Sequence, residues 1–338
     1  MNVVVTWMYC SPPKEKINHA QMGADSDLAE TQNYYWRCIF LMFESSWRLN
    51  GGDTRHILLV NKRPPDEIDG VDTRQLIEQY GVEVIDIPNI TKAPEDYHTA
   101  WNIQFTLIDI MKWIGENTAA EDHVYLLDSD VVFNLPLNDE MAEVIDKKKA
   151  MIYTIDYELD HVVNGNTRRD LLAISKEMSG GYDRDEFRYA GGEIIGGLGK
   201  EYTRMAELSR KYYEECLERY ANKQSKFLTE EHLFSYVYDL LGYEPYTANK
   251  FLKRIWTDRS LYTTITGDEH GLVFWHLPAE KKKGFYKLFQ QYRLKDDGSY
   301  VLDTDQHGRF YGIDATLGTH LMVWPKRVAR KMYYMLKK

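Results

Sequence analysis

Short apolar runs alternate with longer amphipathic stretches along the N-terminal part of the chain. The apolar runs have the length and β-branched content of buried strands, and the stretches between them repeat apolar positions every three or four residues, as amphipathic helices do. The predicted strands are residues 2–6, 56–60, 83–87 and 123–127, and the predicted helices are residues 28–49, 72–80 and 101–114. Strands that alternate with helices indicate an α/β fold with a mostly parallel sheet. Ligands of such sheets bind at the carboxyl ends of the strands, so we expect the chemistry there.

Two carboxylates follow the predicted strand HVYLL. Residues 123–127 run directly into Asp128, Ser129 and Asp130. In extended backbone, residues i and i+2 point to the same face, so both carboxylates would face one side. Two hard oxygen ligands suit Mg²⁺ or Mn²⁺ when substrate phosphates complete the coordination shell. A solvated turn that merely ends the strand is the alternative interpretation.

Residues 188–199 (RYAGGEIIGGLG) contain two glycine pairs around a central apolar dipeptide. Glycine pairs mark backbone that another group approaches closely. The segment does not match a phosphate-binding P-loop, because Lys200 is followed by Glu201 rather than by Ser or Thr. A tight bend in a core strand and a loop that lines a substrate are both compatible with this pattern.

A second pair of carboxylates opens a predicted helix. Thr229 is the predicted N-cap, and Glu230, Glu231 and His232 follow it. Acidic residues in the first turn are stabilised by the helix dipole, which can explain both glutamates without any chemistry. In the functional interpretation, one carboxylate points into a cleft as base, nucleophile or acceptor clamp.

A histidine, His276, ends the apolar run 273–277, and Lys281, Lys282 and Lys283 follow it. A histidine in such a run is often an ordinary core residue. The lysines favour a functional interpretation, since an imidazole on a divalent cation and an ammonium on phosphate together suit a diphosphate. His276 is therefore a candidate third metal ligand, beside Asp128 and Asp130.

Composition restricts the class of protein. The chain has 338 residues, of which 43% are hydrophobic and 13% aromatic, so it can bury a large core and is not disordered. It has no apolar stretch of about 18 residues that could span a membrane, and its first residues do not form a secretory signal. Its three cysteines, Cys10, Cys38 and Cys216, suit neither a disulfide framework nor a zinc site. We expect a soluble cytoplasmic protein.

Charge is distributed unevenly along the chain. The net charge is −10, but residues 281–338 contain 13 Lys and Arg against 5 Asp and Glu. An acidic body argues against general nucleic-acid binding. Residues 326–338 (KRVARKMYYMLKK) contain six basic and no acidic residues, and their apolar positions fit one helical stripe. This tail is predicted either to pack on the acidic body or to contact anionic lipid at the inner membrane face.

The ordered motifs resemble those of nucleotide-sugar-dependent glycosyltransferases of the GT-A fold. VYLLDSDVVF, then YAGGEIIGG, then EEHLFSYVYDLLGYEP follow the order seen in family 6, the blood-group and α-1,3-galactosyl/GalNAc transferases. That family has a DVD metal motif, a GGFFGG-like segment and an ESHLNKYL-like helix start. The ending HLPAEKKKG resembles, with altered spacing, the HxxGxxK ending of family 8, the glycogenin-like enzymes. The resemblance covers about residues 124–245, roughly a third of the chain.

The resemblance implies a role for several residues. Asp128 and Asp130 would hold Mn²⁺ and the nucleotide ribose. Gly192 and Glu193 would contact the donor and acceptor sugars. Glu230 would match the glutamate proposed as nucleophile or ion-pair stabiliser in a retaining reaction, and His232 would match a neighbouring acceptor-site histidine.

The function expected from residues and resemblance together is a metal-dependent hexosyltransferase, using Mn²⁺ or Mg²⁺. It would move a hexose from a UDP-linked donor to a glycan or glycolipid acceptor with retention. Lys281 and Lys283 would assist at the phosphates, and a carboxylate of Glu230 or Glu231 would stabilise the oxocarbenium-like centre. The side chains after the first two strands are candidates for contact with the base; they are Tyr9, Ser11 and Asn61.

Three alternatives stay open at this stage. An inverting transferase of the same fold would use Glu230 or Glu231 as general base. A phosphohydrolase of the haloacid-dehalogenase type would use Asp128 as nucleophile, although such enzymes usually carry the motif on their first strand. A non-catalytic protein would bind the nucleotide sugar without turnover.

The expected domain organisation is a catalytic domain followed by a basic extension. Residues 1–290 would form the GT-A domain, with a nucleotide-sugar half at 1–135 and an acceptor half at 136–290. Residues 291–338 would form the extension.

Overall fold

The computed structural model describes residues 1–12 and 28–314. The basic tail, residues 326–338, lies outside the described residues. No helix among the described residues is long and apolar enough to cross a membrane.

Strands and helices alternate along the chain, as the hydrophobic pattern predicts. The strands are β1 (Asn2–Met8), β2 (Thr54–Val60), β3 (Glu67–Ile68), β4 (Val71–Asp72), β5 (Val82–Asp86), β6 (His123–Leu127), β7 (Val131–Phe133), β8 (Ala150–Thr154), β9 (Val162–Val163), β10 (Asn166–Thr167), β11 (Ala190–Leu198), β12 (Leu252–Arg254), β13 (Thr257–Asp258), β14 (Tyr262–Thr263), β15 (Phe274–His276), β16 (Tyr292–Leu294) and β17 (Tyr300–Leu302). The helices are α1 (Leu28–Asn50), α2 (Thr73–Gln79), α3 (Leu107–Asn117), α4 (Asp139–Lys148), α5 (Arg168–Glu177), α6 (Gly199–Ala221), α7 (Glu230–Leu240), α8 (Tyr286–Phe289) and α9 (His307–Phe310). The predicted helix at 101–114 differs at its start, where Asn102–Thr106 is a 3₁₀ turn before α3.

A six-stranded mixed sheet forms the centre of the molecule, in the order β5-β2-β1-β6-β11-β8. Strands β5, β2, β1 and β6 are parallel, whereas β11 runs antiparallel to both β6 and β8. The predicted α/β class is therefore confirmed, with the central sheet flanked by helices and compatible with a Rossmann-like fold.

Helices cover both faces of this sheet because alternate residues of each strand point to opposite sides. Val4, Leu58 and Leu127 belong to the core on the side of α1. Val5 and Leu126 belong to the opposite core, on the side of α3 and α6. Both faces are buried, which explains why the strands read as continuous apolar runs.

The connections of the sheet reverse direction between β1 and β6. From β1 the chain builds β2 and β5 on one side, then returns to place β6 on the other side of β1. The carboxyl ends of β1 and β6 therefore flank a topological switch point, where open α/β sheets leave a crevice for ligands.

A small second sheet, in the order β12-β15-β7, lies beyond the end of β6. Strand β7 follows β6 after a short turn, and β15 pairs antiparallel with it, so that His276 lies opposite Val131. This pairing joins a segment near residue 276 to the end of β6.

Residues 291–314, which the sequence analysis assigned to the C-terminal extension, pack on the same core as α1 and α2. The hydroxyl of Tyr80 donates a hydrogen bond to that of Tyr292 at 3.1 Å. The Tyr300 hydroxyl accepts a hydrogen bond from the backbone N–H of Asp72 at 3.1 Å. The domain boundary at residue 290 stays a prediction.

Candidate functional site

A cavity of about 220 Å³ opens at the switch point, beyond the carboxyl ends of β1 and β6. Its lining brings together six of the residues singled out in the sequence: Asp128, Gly192, Glu193, Glu230, Glu231 and His276. These residues come from four separate elements or their ends: β6, β11, α7 and β15. We therefore treat this cavity as the candidate site.

A turn positions the two aspartates. The backbone N–H of Val131 donates to the carbonyl of Asp128 at 3.1 Å, so residues 128–131 reverse the chain between β6 and β7. The prediction that Asp128 and Asp130 share a face of one extended strand is thus wrong, because a turn rather than extended backbone holds them. The turn leaves the Asp128 side chain 46% exposed toward the cavity and buries Asp130 completely.

His276 completes a group of three potential metal ligands. Its Nε2 lies 3.2 Å from Asp130 Oδ1 and 3.6 Å from Asp128 Oδ2. One ligand atom from each of the three residues lies within 4.8 Å of the others. The antiparallel pairing of β15 with β7 brings this histidine to the aspartates. The predicted set of ligands therefore occurs together in space.

The chemistry of these side chains fits a divalent cation. Asp130 Oδ1 and both ring nitrogens of His276 are buried and make no hydrogen bond. Burial opposes a charge on either group, yet the neighbouring Lys281 and His276 outweigh burial and hold the pKa of Asp130 below its usual range. Burial likewise opposes the imidazolium, but Asp130 and the other carboxylates raise the pKa of His276 well above its ordinary value. Buried polar atoms that make no hydrogen bond and face one another suit a shared cation.

The lysines predicted at the phosphates differ from each other in position. Lys281 is buried, forms an ion pair with Asp130 Oδ2 and does not line the cavity. Its pairing leaves the second oxygen of Asp130 to face His276. Lys283 is exposed on the same segment and does not line the cavity either.

Glu193 lies behind His276 on a distorted part of β11. The register of β11 against β8 shifts between Ala190 and Ile195. Glu193 is 1% exposed, forms an ion pair with the Arg254 guanidinium, and its Oε1 lies 3.4 Å from His276 Nδ1. Burial would raise the pKa of Glu193, but Arg254 and His276 outweigh it and lower the pKa to about 2.

The two glutamates of α7 both line the cavity but differ in environment. Glu231 accepts hydrogen bonds from four donors: the Gly192 N–H at 2.9 Å, the Tyr189 hydroxyl at 2.5 Å, Asn164 Nδ2 at 3.2 Å and Arg254 Nη2 at 3.4 Å. Glu230 Oε2 has no partner. Burial, with the charges of Glu231 and Asp128, raises the pKa of Glu230 well above its usual range. Thr229 occupies the N-cap position, but its side chain makes no capping hydrogen bond.

His232 is buried beneath the cavity rather than lining it. Its Nδ1 accepts the backbone N–H of Leu228 at 3.3 Å, and its Nε2 lies 3.2 Å from the carbonyl oxygen of Val163. Burial lowers the pKa of His232 to about 3, so the ring is neutral at physiological pH. These contacts hold the start of α7 and strand β9 together.

The residues predicted near the base lie at the same edge of the sheet, outside the cavity lining. Asn61 binds the backbone of Cys10 at two points: its Oδ1 accepts the N–H at 2.7 Å and its Nδ2 donates to the carbonyl at 3.0 Å. The Ser11 carbonyl accepts from Gln32 at 3.2 Å. Tyr9 lies against Lys92.

Sequence reasoning missed several residues of the cavity. Arg254 contacts Glu193 and Glu231, and three tryptophans, Trp7, Trp101 and Trp256, form part of the wall. Trp101 has a left-handed backbone (φ +65°), which is uncommon for a bulky residue. A buried carboxylate such as that of Glu193 requires a nearby cation, but the sequence alone does not show which cation is near it.

The sequence matches no protein-family model and no curated protein. The functional assignment therefore depends on the site itself.

Proposed function

We propose that this chain is a metal-dependent glycosyltransferase of the GT-A type. It would transfer a hexose from a UDP-linked nucleotide sugar to a glycan or glycolipid acceptor, with retention. The single observation that carries the proposal is the content of one cavity. Its lining includes the Asp128 and His276 side chains of the metal-ligand group and the two carboxyl groups of Glu230 and Glu231.

The position of the cavity supports binding of a nucleotide. Nucleotides bind to doubly wound sheets at the switch point, beyond the carboxyl ends of the strands. Trp7, at the end of β1, and Trp101 offer aromatic faces in the same cavity for a base or a sugar ring.

The ligand group supports chemistry on a diphosphate leaving group. Asp128, Asp130 and His276 would hold the cation, and when bound it would neutralise charge that develops on the leaving nucleoside diphosphate. Lys281 keeps the buried Asp130 carboxylate compensated. Asp128, the most exposed of the three ligands, lines the cavity together with His276.

The glutamates support a transfer through a positively charged sugar centre. Four donors fix the orientation of the Glu231 carboxylate, so it can stabilise developing positive charge without moving. The surroundings of Glu230 raise its pKa and favour the protonated form, which can donate a hydrogen bond to an oxygen in the cavity.

A donor screen tests the proposal. Purified protein is incubated with UDP-Gal, UDP-GalNAc, UDP-Glc and UDP-GlcNAc, with and without Mn²⁺, and release of nucleoside diphosphate is followed. We expect slow Mn²⁺-dependent hydrolysis of one donor, abolished in Asp130→Asn. Asp109→Asn is the matched control, since Asp109 is 5% exposed and ion-paired to Arg210 but lies on α3, outside the cavity lining.

Two results would contradict the proposal. Release of inorganic phosphate from simple monoesters, with no turnover of any nucleotide sugar, would favour the phosphohydrolase. Tight binding of a nucleotide sugar with no turnover, even with glycan acceptors present, would favour a non-catalytic binder.

A further inference from the structure

We propose that Glu193 is a positioning residue for the metal site: it orients the His276 ring so that Nε2 faces the cation, and Arg254 holds Glu193 in place. This inference depends on the proposed metal site of Asp128, Asp130 and His276. It adds a role for a carboxylate that the sequence resemblance assigned to sugar contact.

His276 lies between two sets of carboxylates. On one side, Nε2 is 3.2 Å from Asp130 Oδ1 and 3.6 Å from Asp128 Oδ2. On the other side, Nδ1 is 3.4 Å from Glu193 Oε1. The His276 side chain is 6% exposed, so water cannot readily replace either neighbour. The Nε2 atom can therefore contact only the two aspartates, and the Nδ1 atom can contact only Glu193.

A histidine binds a metal through a nitrogen that carries no proton. A carboxylate that accepts the proton of the other ring nitrogen fixes this tautomer and raises the basicity of the ligand. Glu193 is placed to accept from Nδ1–H, which leaves the Nε2 lone pair directed at the space between Asp128 and Asp130. Neither ring nitrogen makes a hydrogen bond in the structure, so the tautomer depends on the carboxylates beside the ring, and the carboxylate beside Nδ1 is that of Glu193 at 3.4 Å.

Two features of the fold hold Glu193 behind the ring. The first is Arg254, whose Nε forms an ion pair with Glu193 Oε1. The second is Gly191, where a Cβ atom would lie 2.0 Å from Glu193 Oε2 and 3.0 Å from Arg254 Nη2. The glycine therefore leaves the space that the buried carboxylate and the guanidinium occupy.

Arg254 also joins the metal side of the cavity to the glutamate side. Its Nη2 is 3.4 Å from Glu231 Oε1, and its Nη1 donates to the Tyr157 hydroxyl at 3.2 Å. One guanidinium thus fixes the carboxylate that orients the metal ligand and contacts the carboxylate assigned to the sugar centre. A disturbance at Glu193 is expected to reach Glu231 through this group.

Direct measurement of metal affinity tests the inference without any substrate. Mn²⁺ binding to the full chain is titrated by electron paramagnetic resonance of the free ion, for wild type and Glu193→Gln. We expect Glu193→Gln to bind Mn²⁺ about 10- to 100-fold more weakly. This is the usual effect of removing the carboxylate that accepts a hydrogen bond from the other ring nitrogen of a metal-bound histidine. Glu269→Gln is the matched control, because Glu269 is also 1% exposed and ion-paired, to Lys253, but lies away from the cavity. The control is expected to bind like wild type.

A spectroscopic readout separates orientation from a general loss of structure. In Zn²⁺-loaded protein, the nitrogen chemical shifts of His276, identified with His276→Asn, are expected to report a protonated Nδ1 and a metal-bound Nε2. Glu193→Gln should shift the Nδ1 signal or mix the tautomers. Arg254→Lys, which keeps a positive charge beside Glu193, provides a second variant in case Glu193→Gln fails to fold. It is expected to weaken Mn²⁺ binding less than Glu193→Gln does.

The outcomes separate this inference from the proposed function. Wild-type Mn²⁺ affinity in folded Glu193→Gln and Arg254→Lys overturns the inference and leaves the transferase proposal standing. Absence of Mn²⁺ binding by wild type overturns the inference together with the metal site. Weakened Mn²⁺ binding in the variants of a protein that turns over no nucleotide sugar supports the inference and contradicts the transferase.

Discussion

Two adjacent residues of β12, Lys253 and Arg254, point to opposite sides of the small sheet, and each forms an ion pair with a buried glutamate. Lys253 pairs with Glu269 at 2.8 Å, and Arg254 pairs with Glu193. Each glutamate is 1% exposed. In each, the cation and other donors outweigh burial and lower the pKa of the carboxyl to about 2.

The two pairs differ in what surrounds the carboxylate. Glu269 accepts hydrogen bonds from Lys253 and from the backbone N–H groups of Thr266 at 2.7 Å and Gly267 at 2.8 Å, so both of its oxygens have partners. Glu193 Oε2 has no partner, and Glu193 Oε1 faces His276. We call the first the closed pair and the second the open pair.

The comparison teaches that burial and charge alone do not identify a functional carboxylate. The closed pair uses every acceptor to hold the loop 266–269, as a structural ion pair should. The open pair leaves one acceptor, Glu193 Oε2, without a hydrogen bond, and natural cores rarely tolerate such an atom without a reason. Unsatisfied acceptors in a cavity are therefore the stronger signal.

The largest expected difference is between two further carboxylates. Arg254 and Lys253 each contact one in addition to the buried glutamate. Glu231 contacts Arg254 in the cavity, and Asp268 contacts Lys253 at the surface. Glu231→Gln is expected to lower kcat about 10²- to 10³-fold, with a smaller change in KM, because it removes charge from the site where positive charge develops. Asp268→Asn, at a 75% exposed side chain, should leave kcat and KM within about twofold of wild type. Initial rates with the donor found in the screen measure both variants. A rise in KM without a fall in kcat would show that Glu231 only binds substrate.

The next prediction concerns stability of the closed pair. The pKa of Glu269 is about 2 in the fold, against a reference of 4.5. Its contribution is complete above pH 4.5 and is lost as the pH falls toward 2, since the unfolded chain then binds the proton first. Glu269→Gln is therefore expected to reduce the free energy of unfolding by about 1.5–3 kcal/mol at pH 7, the range for hydrogen bonds to a charged group.

Urea denaturation of wild type and Glu269→Gln at a series of pH values measures this contribution. The difference between the two proteins should shrink as the pH falls below 4.5, because Glu269 becomes protonated in the wild type as well. A difference that is constant with pH would contradict a role for the Glu269 charge.

The smallest expected effect uses two neighbouring glycines to disturb the open pair. A Cβ at Gly191 would lie 2.0 Å from Glu193 Oε2, whereas the nearest atom to a Cβ at Gly192 would be Glu231 Oε1 at 3.5 Å. Gly191→Ala is expected to displace the Glu193 carboxylate and weaken Mn²⁺ binding about 10-fold, which corresponds to about 1.4 kcal/mol. Gly192→Ala should bind Mn²⁺ like wild type. Equal Mn²⁺ affinities of the two variants, in an electron paramagnetic resonance titration, would remove the steric argument for Glu193.

Local pattern was sufficient to predict the four parallel strands of the central sheet and the aspartates at the end of β6, but it did not predict β8. Strand length, β-branched content and the position of Asp128 and Asp130 depend on near neighbours in sequence. For residues 188–199 the pattern did not decide between a bent core strand and a loop that lines a substrate. They form a core strand, β11, whose distorted part carries Gly192 and Glu193 into the cavity.

Pairing between strands that are distant in sequence brings together site residues whose contacts the sequence could not predict. His276 reaches the aspartates because β15 pairs with β7, and Arg254 reaches Glu193 because β12 pairs with β15. No periodicity reports such pairings across about 60 to 150 residues. The same limitation applies to Glu193, which the resemblance assigned to sugar contact, and to Lys281, which was assigned to phosphate. In the structure Glu193 lies beside His276 and Lys281 forms an ion pair with Asp130, and the two assigned roles stay predictions.

The central claim is that Asp128, Asp130 and His276 hold a divalent cation at the switch point. Diffraction from crystals grown with Mn²⁺ and UDP, recorded at the manganese absorption edge, tests it most directly. The account predicts one anomalous peak within bonding distance of carboxylate oxygens of the aspartates and of His276 Nε2, and its loss in Asp130→Asn. Nucleotide bound in the cavity with no anomalous density between these three side chains would contradict the account.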